Sequence, residues 1–420
     1  MRMLTATVLA ASFFLYPLFQ PVQEGQVVLA FRNVDVFDGS RMIRRTTVLV
    51  RAGMIRAVGP DISIPPSAQV IDGKGKTLLP GFFDSHTHLG TTHGEQFLKD
   101  ALDFGVTTEL EMWGSSASLA LRKKLAGGDT DMADLRTAGT GVTVPKGHPT
   151  QMGPSSFPTL SPGDDVQAFV DARIAEDSDY IKIVYENAFP TVTKQQIEDL
   201  VAAAHRRNKL VVIHISKQSD ARDAIEAGVD GLVHIFADSP PEPGFAEFAA
   251  RHHVFVVATL ATIESVTSAA PKPWWQEMPH FTSNLTPSMR RSLEMKFPPG
   301  FGEKMTLSNA MSAVGALRRA GVSILAGTDA PAPGTAHGVS LHRELELLVR
   351  SGLTPVDALA SATIEPARAF GFYDRGRVAE GLRADLVLVD GDPTVDITVT
   401  RNIVGVWKLG VRDQRPSVGN

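Results

Sequence analysis

The chain has 420 residues, of which 43% are hydrophobic, and a formal net charge of −5 at pH 7. This length allows two ordinary domains or one barrel-sized domain with an appendage, and the slightly acidic balance without any long basic run argues against a nucleic-acid partner. There are no cysteines, which excludes disulfides and thiolate ligands and leaves His, carboxylate or modified Lys for any metal site.

Residues 1–22 are typical of an export signal. Arg2 precedes an apolar stretch from Leu4 to about Leu18, which is shorter than the roughly 20 residues of a spanning helix. No clean Ala-x-Ala cleavage site follows, so the segment is either cleaved imperfectly or retained as an anchor, and a buried first helix is the alternative. We predict an exported protein, periplasmic or secreted, with no stable membrane span after cleavage.

Short β-rich runs separated by turn dipeptides occupy both ends of the remaining chain. They lie at residues 27–31, 47–50 and 54–58 near the N-terminus and at residues 384–389 and 403–408 near the C-terminus. Neither set is large enough to close a core alone. The sequence therefore predicts one small β-sandwich composed of residues 26–78 and 375–415.

The central residues 79–374 alternate short apolar runs with helical patterns. Eight runs have the character of buried strands: 82–88, 106–112, 135–142, 180–184, 210–215, 231–236, 254–260 and 322–329. Helices are predicted at residues 197–207, 219–227 and 305–320, and another begins with Thr354 as N-cap and Pro355 as its first residue.

Eight strands alternating with helices predict an α/β fold, a (β/α)8 TIM barrel, with its functional site at the C-terminal strand ends. A doubly wound open sheet is the alternative, but the chain has no Gly-rich phosphate-binding fingerprint that would support it.

Two inserts interrupt the regular spacing, at residues 143–165 and 263–304. The second insert is rich in aromatic residues, namely Trp274, Trp275, Phe281, Phe297 and Phe301. Long connections in a barrel are usually lids or binding loops, and packing of the loop on itself is the alternative. The aromatic content predicts an apolar or aromatic group on the substrate.

Polar side chains recur at or near the ends of the predicted strands. They are four histidines, one lysine and one aspartate: His86, His88, Lys182, His214, His234 and Asp329. A single strand histidine is usually a satisfied core residue, but six such groups buried without partners would be costly. A metal centre explains all six, because imidazole and carboxylate ligands suit Zn²⁺ or a similar divalent ion.

Three of these residues, His86, His88 and Lys182, indicate more specifically how metal would be bound. His86 and His88 are one residue apart, and alternate side chains of a strand point to the same face. Lys182 can join a metal site if burial removes its proton and the free amine reacts with CO₂, since the resulting carbamate is an anion whose two oxygens can bridge two metals.

The chain resembles the amidohydrolase superfamily, in the branch of imidazolonepropionase-like and Xaa-Pro dipeptidase-like enzymes, from about residue 27 to 410. The motifs that carry this resemblance are residues 80–88, the strand lysine, the two later strand histidines, Gly-Thr-Asp-Ala at 327–330 and Ala-Asp-Leu-Val at 384–387.

The resemblance implies two divalent metal ions, with Zn²⁺ expected and Mn²⁺, Co²⁺ or Fe²⁺ as alternatives. In the family, the His-x-His pair binds the more buried ion and the two later strand histidines bind the other. A carbamylated lysine, here Lys182, bridges both ions, and the aspartate of the eighth strand, here Asp329, ligates metal and handles the proton. Imidazolonepropionase proper resembles a single-metal variant without this lysine, so Lys182 favours the two-metal, dipeptidase-like arrangement.

The activity implied is hydrolysis of a carboxamide or peptide-like C–N bond, in a dipeptide, an N-acyl amino acid or a cyclic amide, by a hydroxide shared between the ions. A lactonase or phosphotriesterase on the same site is the alternative among enzymes, and a catalytically silent metal-binding relative is the alternative of another class. His148, His337 and Tyr185 are predicted to contact the small-molecule substrate. Family members commonly form homo-oligomers, although this sequence names no interface.

Overall fold

The computed structural model describes residues 28–152, 157–268, 273–277 and 279–414. The predicted export segment, residues 1–22, lies outside the described residues. Among the helices in those four ranges, none has both the length and the apolar character needed to cross a membrane.

The described residues form sixteen strands and thirteen α-helices. The strands are β1 (Val28–Phe37), β2 (Met42–Arg51), β3 (Met54–Gly59), β4 (Gln69–Asp72), β5 (Lys76–Pro80), β6 (Phe82–Thr87), β7 (Val106–Glu111), β8 (Asp134–Thr137), β9 (Ile181–Val184), β10 (Val211–His214), β11 (Gly231–Val233), β12 (Phe255–Val257), β13 (Ile324–Leu325), β14 (Leu386–Asp390), β15 (Ile403–Lys408) and β16 (Val411–Arg412). The helices are α1 (Gly94–Asp103), α2 (Ser116–Leu125), α3 (Val166–Ala175), α4 (Lys194–His205), α5 (Gln218–Glu226), α6 (Phe245–Arg251), α7 (Leu260–Val266), α8 (Pro279–Thr282), α9 (Pro287–Glu294), α10 (Leu307–Arg319), α11 (Val339–Arg350), α12 (Pro355–Ser361) and α13 (Ile364–Ala369).

The first sheet combines strands from both ends of the chain. Its order is β16-β15-β14-β5-β1-β2-β3, with β4 paired to β1. Antiparallel pairing of β5 with β14 joins the two ends, and the sheet buries Phe31 edge-to-face against Trp407, with ring centroids 4.8 Å apart. The strands of both termini, for which the sequence predicts one small β-sandwich, thus belong to one hydrogen-bonded sheet, because β5 links the N-terminal strands directly to β14.

Eight parallel strands form two further sheets, one of order β6-β7-β8 and one of order β13-β12-β11-β10-β9. Each of the eight apolar runs predicted from the sequence overlaps one of these strands. The third strand ends at Thr137 rather than at Val142, because the backbone leaves the extended region at Gly139, where φ is +58°.

Two isolated parallel bridges connect these sheets to each other. Thr87 at the end of β6 pairs with Ala330 beyond β13, and Val142 beyond β8 pairs with Ile183 in β9. One hydrophobic cluster also contains residues from both sheets, including Phe83, Leu110 and Val212. The outer edges of the two parallel sheets therefore lie beside each other.

Helices α4 and α12 begin with a capping box, and Thr354 is the N-cap predicted from the sequence. Thr193 and Gln196 form a capping box ahead of α4, and Thr354 with Asp357 forms another ahead of α12, in which Pro355 is the first residue. An N-cap of this kind stabilises a helix by about 1 kcal/mol, since its side chain accepts from an otherwise unpaired backbone N–H.

Gly81 connects the two parts of the fold. It separates β5 from β6, and a Cβ at this position would lie 2.2 Å from Oγ1 of Thr107. Its N–H donates to the carbonyl of Asp385. The close approach of the Thr107 side chain requires glycine at this position, where the chain passes directly from the terminal sheet into the strand that carries His86.

Candidate metal centre

The six polar residues predicted to bind metal lie at or near the ends of parallel strands. His86 is in β6 with His88 just beyond it, Lys182 is in β9, His214 ends β10, His234 follows β11 and Asp329 follows β13. Ligand sites in parallel α/β sheets occur at the carboxyl ends of the strands. The candidate ligands therefore all lie at the carboxyl-terminal side of the parallel strands.

His86, His88 and Asp329 form the tightest group. Asp329 Oδ1 lies 3.3 Å from Nε2 of His86 and 3.1 Å from Nε2 of His88. The two Nε2 atoms are themselves 3.2 Å apart. Three candidate ligand atoms, presented at the ends of two strands, thus lie within 3.3 Å of one another.

Three further histidines, His234, His214 and His148, lie next to this group or to one another. Ligand atoms of His86, His234 and Asp329 all lie within 4.8 Å of one another. The ring of His234 is 4.7 Å from that of His214, and the ring of His214 is 5.3 Å from that of His148. The structure therefore brings the four strand histidines together and places the loop histidine His148 beside the last of them.

Lys182 lies buried beside these imidazoles, with 3% of its surface exposed. Burial lowers the pKa of its amine to about 7, although the charge of Asp329 opposes this shift. The charge of Lys182 in turn helps to lower the pKa values of His86 and His234. A substantial fraction of the lysine is therefore the free amine at neutral pH, which is the form that reacts with CO₂.

The protonation states suit a divalent cation. Burial holds the pKa values of His86 and His234 well below the usual range, so both imidazoles are neutral and keep a lone pair. Burial alone would raise the pKa of Asp329, but interactions led by its hydrogen bond with His88 lower it to about 2. Neutral imidazoles around a carboxylate anion are a ligand set that fits Zn²⁺ and similar ions.

The Nδ1 atoms of two histidines have partners outside the cluster. Nδ1 of His234 lies 2.8 Å from Oγ1 of Thr259, and Nδ1 of His88 lies 3.5 Å from the carbonyl oxygen of Trp113. Partners of this kind set the ring orientation of metal-binding histidines. Thr259 was not singled out from the sequence, although its position just beyond a predicted strand core is the same signal that identified the ligands.

Backbone strain also concentrates at the site. His234, Thr259 and Asp329 have φ values of 155°, 49° and 58°. Non-glycine residues with positive φ cost on the order of 1–3 kcal/mol each and cluster at functional sites. Two of these residues, His234 and Asp329, are predicted ligands, and the third, Thr259, contacts the ring of His234.

The predicted substrate-contact residues differ in their surroundings. His148 is next to His214, and burial lowers the pKa of its ring to about 4. The hydroxyl of Tyr185 donates to Asp223 at 3.3 Å. His337 is 1% exposed, with Nδ1 2.8 Å from Oε1 of Glu109. Only His148 is shown beside the cluster, and the substrate contacts of all three stay predictions.

Glu186, which follows Tyr185, lies beside His214. Its Oε2 is 3.7 Å from Nε2 of His214. Burial would raise the pKa of this carboxyl, but hydrogen bonds with the side chains of His214 and Ser216 bring it to about 2. The anion is therefore available to hold the ring of His214.

Comparison with known proteins places this site in context. The model of the Amidohydrolase family matches residues 77–412. The ochratoxinase of Aspergillus niger is 22% identical, over 94% of this chain and 88% of that protein. The imidazolonepropionase of Cereibacter sphaeroides is 23% identical, over 90% and 95%. The crystal structure of a Xaa-Pro dipeptidase with bound methionine superposes with a TM-score of 0.75 at 22% identity, over 92% of this chain and 99% of that one.

Proposed function

The chain belongs to the amidohydrolase family, and on that basis we propose that it uses two divalent metal ions to hydrolyse a carboxamide or peptide-like bond. The family and its named relatives identify it as a hydrolase acting on carbon–nitrogen bonds. The number of ions and the substrate, a dipeptide, an N-acyl amino acid or a cyclic amide, are the proposal. Zn²⁺ is the expected ion, with Mn²⁺, Co²⁺ or Fe²⁺ as alternatives.

The observation that carries the two-metal proposal is the position and chemistry of Lys182. It is buried, its pKa is about 7, and its charge acts on both His86 and His234. An ammonium at this point would repel a cation, whereas a carbamate would attract two. His86 and His88 would hold one ion, His214 and His234 the other, and carbamylated Lys182 would lie between them.

We also infer that the two parallel sheets form one (β/α)8 barrel. The bridges Thr87 to Ala330 and Val142 to Ile183, together with the shared hydrophobic cluster, support this closure. In this interpretation residues 79–374 form the barrel, and residues 26–78 and 375–415 form the composite β domain. Export and homo-oligomerisation stay predictions, because residues 1–22 lie outside the described chain and the structure contains a single chain.

Bound divalent ions would supply hydroxide at neutral pH and polarise the scissile carbonyl. The protein's own contribution begins with Asp329, which is anionic and lies within 3.3 Å of two imidazoles. It is placed to accept the proton of the attacking water and to pass it to the leaving nitrogen. Thr259 and Trp113 hold the rings of His234 and His88 during these steps.

The neutral ring of His148 carries its proton on Nε2, which can act as a hydrogen-bond donor. The amide nitrogen of Gln151 lies 2.6 Å from its Nδ1, and donation from that amide leaves the single ring proton on Nε2. Because burial lowers the pKa of this imidazole to about 4, the ring is neutral at pH 7. An N–H in this state can donate to an oxyanion that develops on the substrate.

Metal content and turnover test the proposal together. The full-length protein is dialysed against metal-free buffer, its metal is counted, and it is assayed on dipeptides, N-acyl amino acids, cyclic amides, lactones and phosphotriesters. About two ions per chain with turnover of C–N substrates is the expected result. Full activity with one ion would contradict the two-metal site. Turnover confined to lactones or phosphotriesters would favour that class of hydrolase, and bound metal with no turnover would favour the silent relative.

A further inference from the structure

Most of the aromatic insert packs on itself and on neighbouring helices. Trp275, Phe281 and Leu293 are buried in one cluster with Phe104, which follows α1, and Val339, which begins α11. The rings of Phe104 and Phe281 meet edge-to-face with centroids 5.0 Å apart. This part of the insert is therefore structural.

Three apolar residues of the same insert are left out of that cluster. Phe297 and Phe301 stack on each other, with ring centroids 4.9 Å apart and an angle of 12° between the rings. Phe301 is 54% exposed and Met295 is 51% exposed. Among the described residues only four large apolar side chains are at least 51% exposed, and two of them lie in this short segment. Clustered exposed apolar residues mark binding sites more often than isolated ones do.

The segment is attached to the loop that begins at the metal-site aspartate. Gly334, five residues beyond Asp329, donates its N–H to the carbonyl of Ser292 at 2.9 Å. The hydroxyl of Ser265 donates to the carbonyl of Pro333 at 2.7 Å. The Ser292 contact ties the end of α9, which leads directly into residues 295–301, to the connection that follows β13.

The far end of the segment is held against α7, the helix that follows β12. A Cβ on Gly302 would lie 2.3 Å from Cγ1 of Val266 at the end of that helix. Residues 295–301 therefore lie between two connections that leave the carboxyl ends of β12 and β13. These are the strand ends on the side of the fold where the predicted metal ligands lie.

We propose that Met295, Phe297 and Phe301 form an apolar subsite that binds a planar, aromatic group of the amide substrate. This inference rests on the proposed function, since the bond to be cleaved must lie at the metal centre. The two parallel rings offer a flat face that suits offset stacking or edge contact with another ring. Three side chains are too few for a stable protein interface, which buries roughly 1,200–2,000 Å², but they are enough to cover one ring.

Matched substrates test the subsite in the metal-loaded full-length protein. One pair is N-benzoyl and N-acetyl derivatives of the same amino acid, and the other is the phenylalanine and alanine amides of the same acid. Phe301→Ala is expected to lower the aromatic-to-small ratio of kcat/KM about tenfold for at least one pair, because a buried aromatic group contributes binding of this order. Phe301→Leu, which keeps an apolar side chain, should recover part of the ratio.

Tyr373→Ala is the matched control, because Tyr373 is an aromatic residue that is 92% exposed and lies in the connection between α13 and β14. It should leave both ratios unchanged. Turnover with ratios that do not respond to Phe301→Ala would overturn the subsite and leave the proposed function intact.

A second readout separates the two ideas if no C–N substrate is turned over. Binding of both pairs of compounds to the same proteins is then measured by calorimetry. An aromatic preference within either pair that is lost in Phe301→Ala would support the subsite while the proposed function fails. No aromatic preference in either pair, or one that survives in Phe301→Ala, would overturn the subsite as well.

Discussion

The side chains of Asp84 and Thr328 meet in the buried interior, 244 positions apart in the chain. Oδ2 of Asp84 accepts the hydroxyl of Thr328 at 2.6 Å, and Oδ1 accepts its backbone N–H at 3.0 Å. Asp84 precedes His86 by two residues, and Thr328 precedes Asp329 by one. This double contact therefore sets the spacing between the strand that presents two histidines and the loop that presents the aspartate.

Removing the Thr328 hydroxyl should loosen the metal centre without removing a ligand. In Thr328→Val, Oδ2 of the buried Asp84 loses its partner and the positions of His86 and Asp329 relax. We expect metal affinity and kcat/KM to fall by about 10–100-fold, as for other residues that support metal ligands. Competition with a chromophoric chelator measures the affinity. Thr328→Ser keeps the hydroxyl and should stay near the parent value; equal losses in both variants would contradict this role.

Lys182→Ala should remove the bridge between the metal ions. We expect the metal content to fall below two per chain and activity to be lost, with partial recovery when a small carboxylic acid such as acetate is added. Metal analysis and initial rates measure both effects. Lys194→Ala, which removes a surface lysine paired with Glu226, should change neither. Full turnover without Lys182 would rule out the bridging role.

His148 and His337 should respond differently to replacement. His148→Ala is expected to change KM or kcat with little effect on Tm, because the residue lies at the edge of the imidazole cluster. His337→Ala should destabilise the fold by about 3–5 kcal/mol, since it leaves the buried carboxylate of Glu109 without its ion-pair partner. Thermal unfolding and steady-state kinetics distinguish the two. A kinetic defect in His337→Ala at unchanged Tm would instead support the predicted substrate contact.

Buried carboxyl groups should make the protein less stable at alkaline pH. Burial raises the pKa of Glu344 to about 8, despite backbone hydrogen bonds from Ala261 and Leu260. A carboxyl with a raised pKa in the folded state stabilises the fold at low pH, and that contribution is lost as the pH rises from its ordinary value through 8. The loss amounts to at most about 1.4 kcal/mol per pH unit for one group.

Glu344→Gln should flatten this dependence, because an amide keeps the acceptor for Ala261 and does not ionise. We expect the variant to be at least about 1 kcal/mol more stable than the parent at pH 9 and similar to it at pH 5. Thermal unfolding between pH 5 and pH 9 measures the difference. Glu198→Gln, at an exposed position of α4, should leave the profile unchanged. A parallel profile for Glu344→Gln and the parent would refute the role of this carboxyl.

The sequence singled out most of the residues that the structure brings together in the candidate metal centre, because strand position and residue type are local signals. His86, His88, His214 and His234 each lie within or just beyond a short apolar run, and Asp329 follows another. The contact of Asp84 with Thr328 could not be predicted, because it depends on how two distant strands align. Which aromatic residues of the insert are buried and which are exposed could not be predicted for a similar reason. Nothing in the residue types distinguishes Phe281, which faces a helix pair, from Phe301, which does not.

The pairing of β5 with β14 has a consequence for how the protein is made. Gly81 alone separates β5 from β6, and its N–H is bonded to Asp385 near the end of the chain. A nascent polypeptide has no partner for this edge until the ribosome has passed residue 390. The strand that carries His86 therefore acquires its final anchorage only after residues 386–390 have been synthesised and have paired with β5.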